Sequence, residues 1–330
     1  MQLHLNTYGT YLHVKEEMFE IKIKQKDGKV EKHPVAAHKV KSIWIGQGIA
    51  LSSDAIALAV KHNIDVVLLE KSGNPIGRFW HSKLGSTTKI RKKQLIISDN
   101  NYGLKVIKTW LCEKICNQIN FYKELKKHRQ KHEDLLNESI TKAGAYIDKI
   151  NALEGTSANE VADQLRAFEG NAGRIYFQTL SKLLPAQYQF SKRSFRPAED
   201  PFNAFLNYAY GMLYSYVDRV LTLAGLDAYV GILHRDDYNY KSMVYDFIEP
   251  FRIFGEAPVY RLFTGKKVKI EHTEEIENGF TLVKPGKVLL VESFNKYFME
   301  DKVRYKNKNM TRNNIMQQKA HGFANEILQL

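Results

Sequence analysis

The sequence predicts an α+β protein, with a small N-terminal β-rich domain followed by a larger all-helical C-terminal domain. Three observations predict it. Over residues 1–84, short runs alternate apolar and polar residues, the period of half-buried strands. From about residue 95, apolar residues recur every three or four positions, the helical period. Between the two lies "GSTTKIRKKQ", a polar, basic stretch that reads as a boundary. The expected organisation is therefore a β-rich domain over 1–84, a linker over 85–95 and a helical domain over 96–330, in a chain long enough to bury two cores.

Each element has a local reason. "TYLHV" and "FEIKIKQ" alternate as strands do, and "KDGK" at Lys26 to Lys29 is a hairpin turn signal. "KSIWI" and "DVVLLE" are short apolar strands, and between them "SSDAIALAVKHN" reads as a helix opened by a serine cap. "SGNP" then turns into "IGRFW". Residues 103–152 form long basic helices. Residues 158–184 form another, with Leu165, Phe168, Ala172 and Ile175 on its buried stripe. "EDPFNAFLNYAYGMLYSYVDRVLTLAG" is punctuated by Asp200 as N-cap, Pro201 in the first turn and Gly225 at the end. Residues 285–302 and 310–329 read as two further helices, joined by the cationic connector "DKVRYKNKNMTR".

Composition narrows the function classes. A hydrophobic content of 44%, with 17 Phe and 18 Tyr, belongs to a globular chain and excludes disorder. The 49 Lys and Arg exceed the 36 Asp and Glu by 13, which points to polyanion partners, nucleic acid before membrane surfaces. The N-terminus lacks a basic segment followed by an apolar one, and no run approaches the roughly 18 apolar residues of a membrane helix. A soluble, cytoplasmic protein with no membrane partner is expected. Cys112 and Cys116, four apart on a helix, have neither metal-ribbon nor redox spacing and are expected to be small buried hydrophobes.

One short segment stands out, "MVYDFIEPFR", Met243 to Arg252. Met243, Phe247 and Phe251, with Val244 and Ile248 beside them, make a helical stripe for a core. Asp246, Glu249 and Arg252 recur every three on another face, so the two acids should lie close together. Pro250 disfavours helical geometry at Glu249, so either the helix kinks or the proline sits near a first turn. Taken alone, the ten residues also describe a solvated face with an Arg252 ion pair. His234 in "GILHRDD" follows the helix end at Gly225 and precedes Asp246 closely enough to reach that face. Glu169 in "AFEGNAGRIYF" interrupts an apolar stretch beside Gly170 and Gly173, small residues that would let another helix approach. One histidine with two or three carboxylates is a ligand set for Mn²⁺ or Mg²⁺. From spacing alone, an exposed helix acid and a loop histidine remain the simpler reading.

Ordered motifs change that reading. "LHLNTYGTYLHVKEEMFEI", "HNIDVVLLEKSGNPIGRF", "FEGNAGRIYF", "RPAEDPFNAFLNYAYGMLY" and "GILH" followed by "KSMVYDFIEPFR" run in order over nearly the whole chain. Together they resemble the CRISPR-associated integrase and endonuclease family of spacer acquisition, the first-numbered Cas family. The resemblance places catalysis in the helical domain. It implies that Glu169, His234 and Glu249 are catalytic metal ligands, with Asp246 in or beside the site and Asn203 near it. Glu249 stands where other members have Asp, a change of reach rather than of chemistry. Arg235 and Lys241 flank the site in sequence and are candidates to hold a phosphate, with plain exposed charges as the alternative, and Lys306 and Lys308 in the basic connector are candidates to grip DNA, with a solvated loop as the alternative. The implied reaction is phosphoryl transfer with Mg²⁺ or Mn²⁺: the 3′-hydroxyl of a short foreign DNA fragment attacks a CRISPR array, a transesterification. Implied partners are double-stranded DNA, a second copy bound through the β domain as a homodimer, and a small second adaptation subunit in a heterohexamer-like complex. The site residues lie off the apolar stripes, so removing one is expected to leave the fold intact. A non-catalytic nucleic-acid-binding scaffold of the same charge is the alternative from another class.

Overall fold

The alternating runs of the N-terminus form strands, and the change of period marks the change of architecture. The computed structural model describes residues 1–25, 28–70, 75–79, 87–234 and 240–330. The chain divides into two compact units, Met1–Gly85 and Ser86–Leu330.

The first unit holds β1 (Gln2–Leu5), β2 (Tyr11–Lys15), β3 (Met18–Lys24), β4 (Val30–Ala36), β5 (Ser42–Ile45), β6 (Ala50–Leu51), α1 (Ser53–Lys61), β7 (Asp65–Leu69) and β8 (Pro75–Phe79). Among the described residues these make two four-stranded sheets, ordered β1-β5-β7-β8 and β4-β3-β2-β6. In the first, β1, β5 and β7 run parallel and β8 closes antiparallel. In the second, β2, β3 and β4 form an antiparallel meander, with β6 parallel to β2. Alternation in β3 sends Phe19 and Ile21 into a core shared with Leu12, Ile43, Ala59 and Val66. Pro34 has no N–H for a ladder and sits in β4, at a sheet edge, where that costs little. Ser52 caps α1, its Oγ accepting from Ala55 N at 3.1 Å. In the "KDGK" turn, Gly28 takes a positive φ of 85° between the paired β3 and β4, while Lys26 and Asp27 lie outside the described residues. So does the turn expected at "SGNP", up to Asn74.

The second unit holds α2 (Thr87–Ser98), α3 (Asn101–Lys126), α4 (Glu133–Ala152), α5 (Ala162–Leu183), α6 (Pro201–Ala224), α7 (Ser242–Phe247), α8 (Ile253–Thr264), β9 (Thr273–Ile276), β10 (Gly279–Leu282), α9 (Lys284–Asn295), β11 (Lys302–Tyr305), β12 (Lys308–Thr311) and α10 (Arg312–Leu328). α6 is its central rod, apolar nearly all round and packed against α7, α8, α9 and α10. Its ends follow the sequence signals. Asp200 Oδ1 accepts from Asn203 N at 2.8 Å, Pro201 opens the first turn, and Gly225 closes the helix at φ +78°.

Four expectations need correction. The stretch 85–95 is not a linker from Thr87 onward but part of α2. Its buried stripe is Thr87, Ile90, Gln94 and Ile97, and two polar members hide that stripe among basic neighbours. On α5, Leu165 and Ala172 are buried but Phe168 and Ile175 only half so; Tyr176 and Leu180 complete the stripe. The cationic connector is a β-hairpin, β11–β12, turned by Lys306 and Asn307 at φ +43° and +64°, and a second hairpin, β9–β10, also interrupts the helices. The cysteines are free, with Cys112 half-buried and Cys116 exposed. Among the described residues no helix is long and apolar enough to cross a membrane.

Candidate active site

The segment "MVYDFIEPFR" realises both alternatives that Pro250 raised. α7 ends at Phe247, Glu249–Phe251 form a single 3₁₀ turn with Pro250 in it, and α8 starts at Ile253. Met243, Val244, Phe247, Ile248 and Phe251 are all buried, and Phe247 meets the edge of Trp110 of α3 at 5.3 Å between centroids. Asn117, also on α3, donates to the Pro250 carbonyl at 2.8 Å and fixes the turn. The other face is not solvated. Asp246 is fully buried, and the Glu249 side chain keeps 5% of its surface.

The two acids serve different partners. Glu249 Oε1 accepts from Arg252 Nε at 2.8 Å and lies 2.6 Å from its Nη2; Oε2 lies 2.6 Å from Lys114 Nζ. Burial alone would raise the Glu249 carboxyl, but the charges of Arg252 and Lys114 outweigh it and pull the pKa down to about 2. Burial would likewise lower the Lys114 ammonium, yet Glu169 and Glu249 together hold its pKa above the ordinary lysine value. Lys114 Nζ also contacts Glu169 Oε1, so carboxylates from α5 and from the turn after α7 share one cation.

Asp246 instead organises the loop before α7. Its Oδ2 accepts from Ile232 N at 2.5 Å and Leu233 N at 3.0 Å, and its Oδ1 from His234 N at 3.2 Å. His234 Nδ1 lies 2.6 Å from the same Oδ1. A carboxylate only accepts, so Nδ1 carries the proton and Nε2 is left for another partner. Gly231 opens this loop because nothing larger fits: a Cβ there would stand 2.5 Å from Ser242 Cβ and 3.0 Å from Asp246 Oδ2. Upstream, Gln94 of α2 donates to the Asp227 and Val230 carbonyls at 2.7 and 2.8 Å and accepts from Asp227 N at 2.9 Å. The segment read as a linker thus holds the histidine loop.

Glu169 and His234 form the accessible side of the site, each keeping 30% of its side-chain surface. Arg166, one turn before Glu169, donates to the Leu233 carbonyl at 3.0 Å and ties the histidine loop to the glutamate helix. Gly170 and Gly173 do not admit another helix. A Cβ at Gly170 would meet nothing within 4 Å, and one at Gly173 only Glu169 Oε1 at 4.0 Å, so Gly173 leaves the space beside that oxygen open.

The structure therefore pairs Glu169 with Glu249 through Lys114, and Asp246 with His234 through a hydrogen bond. Among the described residues, no three His, Cys, Asp or Glu side chains form a group that could hold a metal ion as they stand. Asn203 is fully buried and its amide is spent: Nδ2 donates to Lys192 O at 3.0 Å and Asp200 Oδ2 at 2.5 Å, and Oδ1 accepts from Arg193 at 2.9 Å. It is linked toward Glu249 through Arg193 and Arg252, which both lie against the Tyr210 ring. Lys241 is paired with Asp218 at 3.0 Å, which anchors the start of α7 to α6. Lys306 and Lys308 lie at the tip of the β11–β12 hairpin, both exposed. Arg235 lies outside the described residues.

The sequence reading missed Lys114, Asn117, Gln94 and Arg166. Lys114 had a signal: in "WLCEKICNQI" it stands on the stripe of Trp110, Leu111, Ile115 and Gln118, where a lysine is costly unless paired.

Comparison with known proteins gives a consistent answer. The family model for "CRISPR associated protein Cas1" matches residues 3–296. A CRISPR-associated endonuclease Cas1 from Archaeoglobus fulgidus is 31% identical over 96% of this chain and 93% of its own length. Another from Saccharolobus solfataricus is 31% identical over 82% of this chain and 78% of its own. In fold, the chain is similar to a Cas1 protein from Thermotoga maritima, with a TM-score of 0.78 at 19% identity over 99% of this chain and 97% of that one. It is equally similar to a casposase bound to its integration product, with a TM-score of 0.78 at 23% identity over 99% and 90% of the two chains.

Proposed function

The chain belongs to the CRISPR-associated Cas1 family, and on that premise we propose that it is a divalent-metal-dependent DNA integrase and endonuclease that inserts short foreign DNA fragments into a CRISPR array by 3′-hydroxyl transesterification. The observation that carries this reading is the convergence of Glu169 and Glu249, from separate elements, on one cation, together with a histidine whose Nδ1 is held by a buried carboxylate on a loop that Arg166 ties to the Glu169 helix.

The donor set fits a hard divalent ion. Two carboxylates already share a cation position, and a histidine with a carboxylate behind it is the usual arrangement at a metal. Glu169, Glu249 and His234 Nε2 would hold Mg²⁺ or Mn²⁺, and the ion when bound supplies positive charge to the phosphate under attack. Asp246 fixes the histidine tautomer and ring orientation. Arg252 neutralises Glu249 and locks its carboxylate in place. The open space beside Glu169 at Gly173 supports the approach of a phosphodiester backbone there. Water in place of the 3′-hydroxyl gives cleavage from the same arrangement.

The net charge of +13 and the exposed Lys306 and Lys308 support double-stranded DNA as substrate. Solved complexes titled Cas6-RT-Cas1–Cas2 and TtCas1–DNA, similar in fold to this chain, support a small second subunit and DNA as partners. The β unit supports self-association: β8 is an edge strand with Ile76 65% exposed and Phe79 36% exposed.

The test is integration of a labelled DNA fragment into a repeat-containing plasmid, with and without Mn²⁺, for wild type and His234→Ala. The expected result is metal-dependent joining by wild type and a loss of several orders of magnitude in the variant, with circular dichroism and DNA affinity unchanged. A folded, DNA-binding His234→Ala protein that integrates at the wild-type rate would remove His234 from the metal site, and a wild-type protein that binds DNA but joins no fragment with Mn²⁺ would establish the scaffold reading instead.

A further inference from the structure

Lys114 is the least expected residue of the site. It sits on the buried face of α3, keeps 7% of its side-chain surface, and places its ammonium between Glu169 Oε1 and Glu249 Oε2. A lysine in that position is tolerated only because two carboxylates meet it, and those carboxylates are kept together by the same charge. Arg252 does not do the same work: it reaches Glu249 Oε1 alone and leaves Oε2 and Glu169 to Lys114. A divalent ion held by Glu169 and Glu249 needs the space between the oxygens that Nζ now takes. The two cations are alternatives, since with Arg252 already on Glu249 both at once would bring four positive charges against two negative ones at contact distance.

The geometry points to Lys114 as a stand-in for the metal ion: in the metal-free protein its ammonium holds Glu169 and Glu249 together, and a divalent cation enters the site by displacing it. The inference rests on the metal reading above and adds a competitor for that metal. Lysine suits the part, because its charge is a point on a flexible four-carbon stem and can leave one oxygen pair without moving the backbone. It also has somewhere to go. The oxygen it leaves, Glu169 Oε1, borders the open space at Gly173, whose absent Cβ would have been 4.0 Å from it. The site is thereby assembled before the ion arrives, and two acids from different elements do not repel each other while it is empty of metal.

Two measurements with Mn²⁺ alone, without DNA, test this. The first is isothermal titration of Mn²⁺ into wild type and Lys114→Met. Removing the competitor is expected to tighten binding by roughly tenfold or more, while the metal-free variant melts below wild type because its carboxylates have lost their counter-ion. A purely structural lysine would lower the melting temperature and leave Mn²⁺ affinity unchanged. The second uses wild type only, so it decides the matter even if the variant fails to fold. Lysines are methylated reductively with and without saturating Mn²⁺, and Lys114 is followed by peptide mass spectrometry against exposed Lys142. Lys114 is expected to be protected without Mn²⁺ and modified several times faster with it, Lys142 equally in both. Mn²⁺ binding that leaves Lys114 protected and is no tighter in Lys114→Met would overturn the inference and leave the metal reading standing. No Mn²⁺ binding to either protein would remove both.

Discussion

The imidazole Nδ1 of His234 lies 2.6 Å from Oδ1 of Asp246, and Asp246 is fully buried. The same carboxylate accepts from the backbone amides of Ile232, Leu233 and His234. Four donors thus meet its two oxygens, which the loop and the ring already occupy. On the proposed function, Asp246 would act through the ring it orients and the loop it folds.

Replacing Asp246 with Asn should therefore be far from conservative. The amide nitrogen would donate where donors already point, leaving buried N–H groups unpaired. A loss of about 2–3 kcal/mol is expected by urea denaturation, together with a fall in integration as the His234 ring loses its fixed tautomer. Wild-type stability and rate in Asp246→Asn would show that the loop does not depend on the carboxylate.

The three proposed ligands should differ in what they do to the fold, contrary to the expectation that all are dispensable for it. Glu249→Ala leaves Lys114 and Arg252 buried with one carboxylate fewer, at a cost of about 3–5 kcal/mol. His234→Ala removes a partly exposed ring and should cost under about 1 kcal/mol. Glu169→Ala should fall between them. Equal melting temperatures for the Glu249 and His234 variants would contradict this ordering.

Acid should act through Glu249. Its folded pKa, about 2, lies below the ordinary 4.5, so its ionised form stabilises the folded protein fully above the unfolded value. That contribution, about 3 kcal/mol, is lost as pH falls from 4.5 toward 2. In Glu249→Gln the titration is absent. Denaturation measured between pH 7 and the acid limit of folding should show the gap between wild type and variant narrowing below pH 4.5; a constant gap would contradict the assigned ion pairs.

Gly170 and Gly173 separate stability from access. Gly170 stands inside α5 with nothing near its missing Cβ, so Gly170→Ala should stabilise the protein by about 0.5–1 kcal/mol. Gly173→Trp, one turn on, should keep the fold but place a large ring beside Glu169 Oε1, reducing integration far more than Mn²⁺ affinity. If both variants integrate like wild type, DNA does not pass over this face.

The hairpin tip supplies a test of the charge argument. A Lys306→Glu, Lys308→Glu protein should bind duplex DNA more weakly, with a salt dependence shallower by about two counterions. Mn²⁺ binding should be unchanged, since neither lysine contacts a site residue among the described contacts. An unaltered slope in fluorescence anisotropy would make the tip an ordinary solvated turn.

What the sequence determined by itself is what local pattern can encode. The switch from a period of two to a period near four separates a β unit from a helical one, because side-chain direction alternates in strands and rotates in helices. Asp200, Pro201 and Gly225 mark both ends of α6, because caps are satisfied within a few residues. The apolar stripe of Met243, Val244, Phe247, Ile248 and Phe251 is buried as its spacing requires. The ordered motifs, taken as a set, identify the family. Tertiary structure alone decided the rest. Asp246 and Glu249 are three apart in one segment, yet one is spent on a backbone loop and the other on two cations, because a break at the 3₁₀ turn separates their surroundings. Lys114, Gln94 and Arg166 lie in stretches that read as basic helix or linker. Their partners, Glu249, Val230 and Leu233, are remote in sequence, so nothing in the local pattern could name them. Paired with buried carboxylates, a lysine loses the solvation that makes it look like surface, and that exchange is settled only when the helices pack.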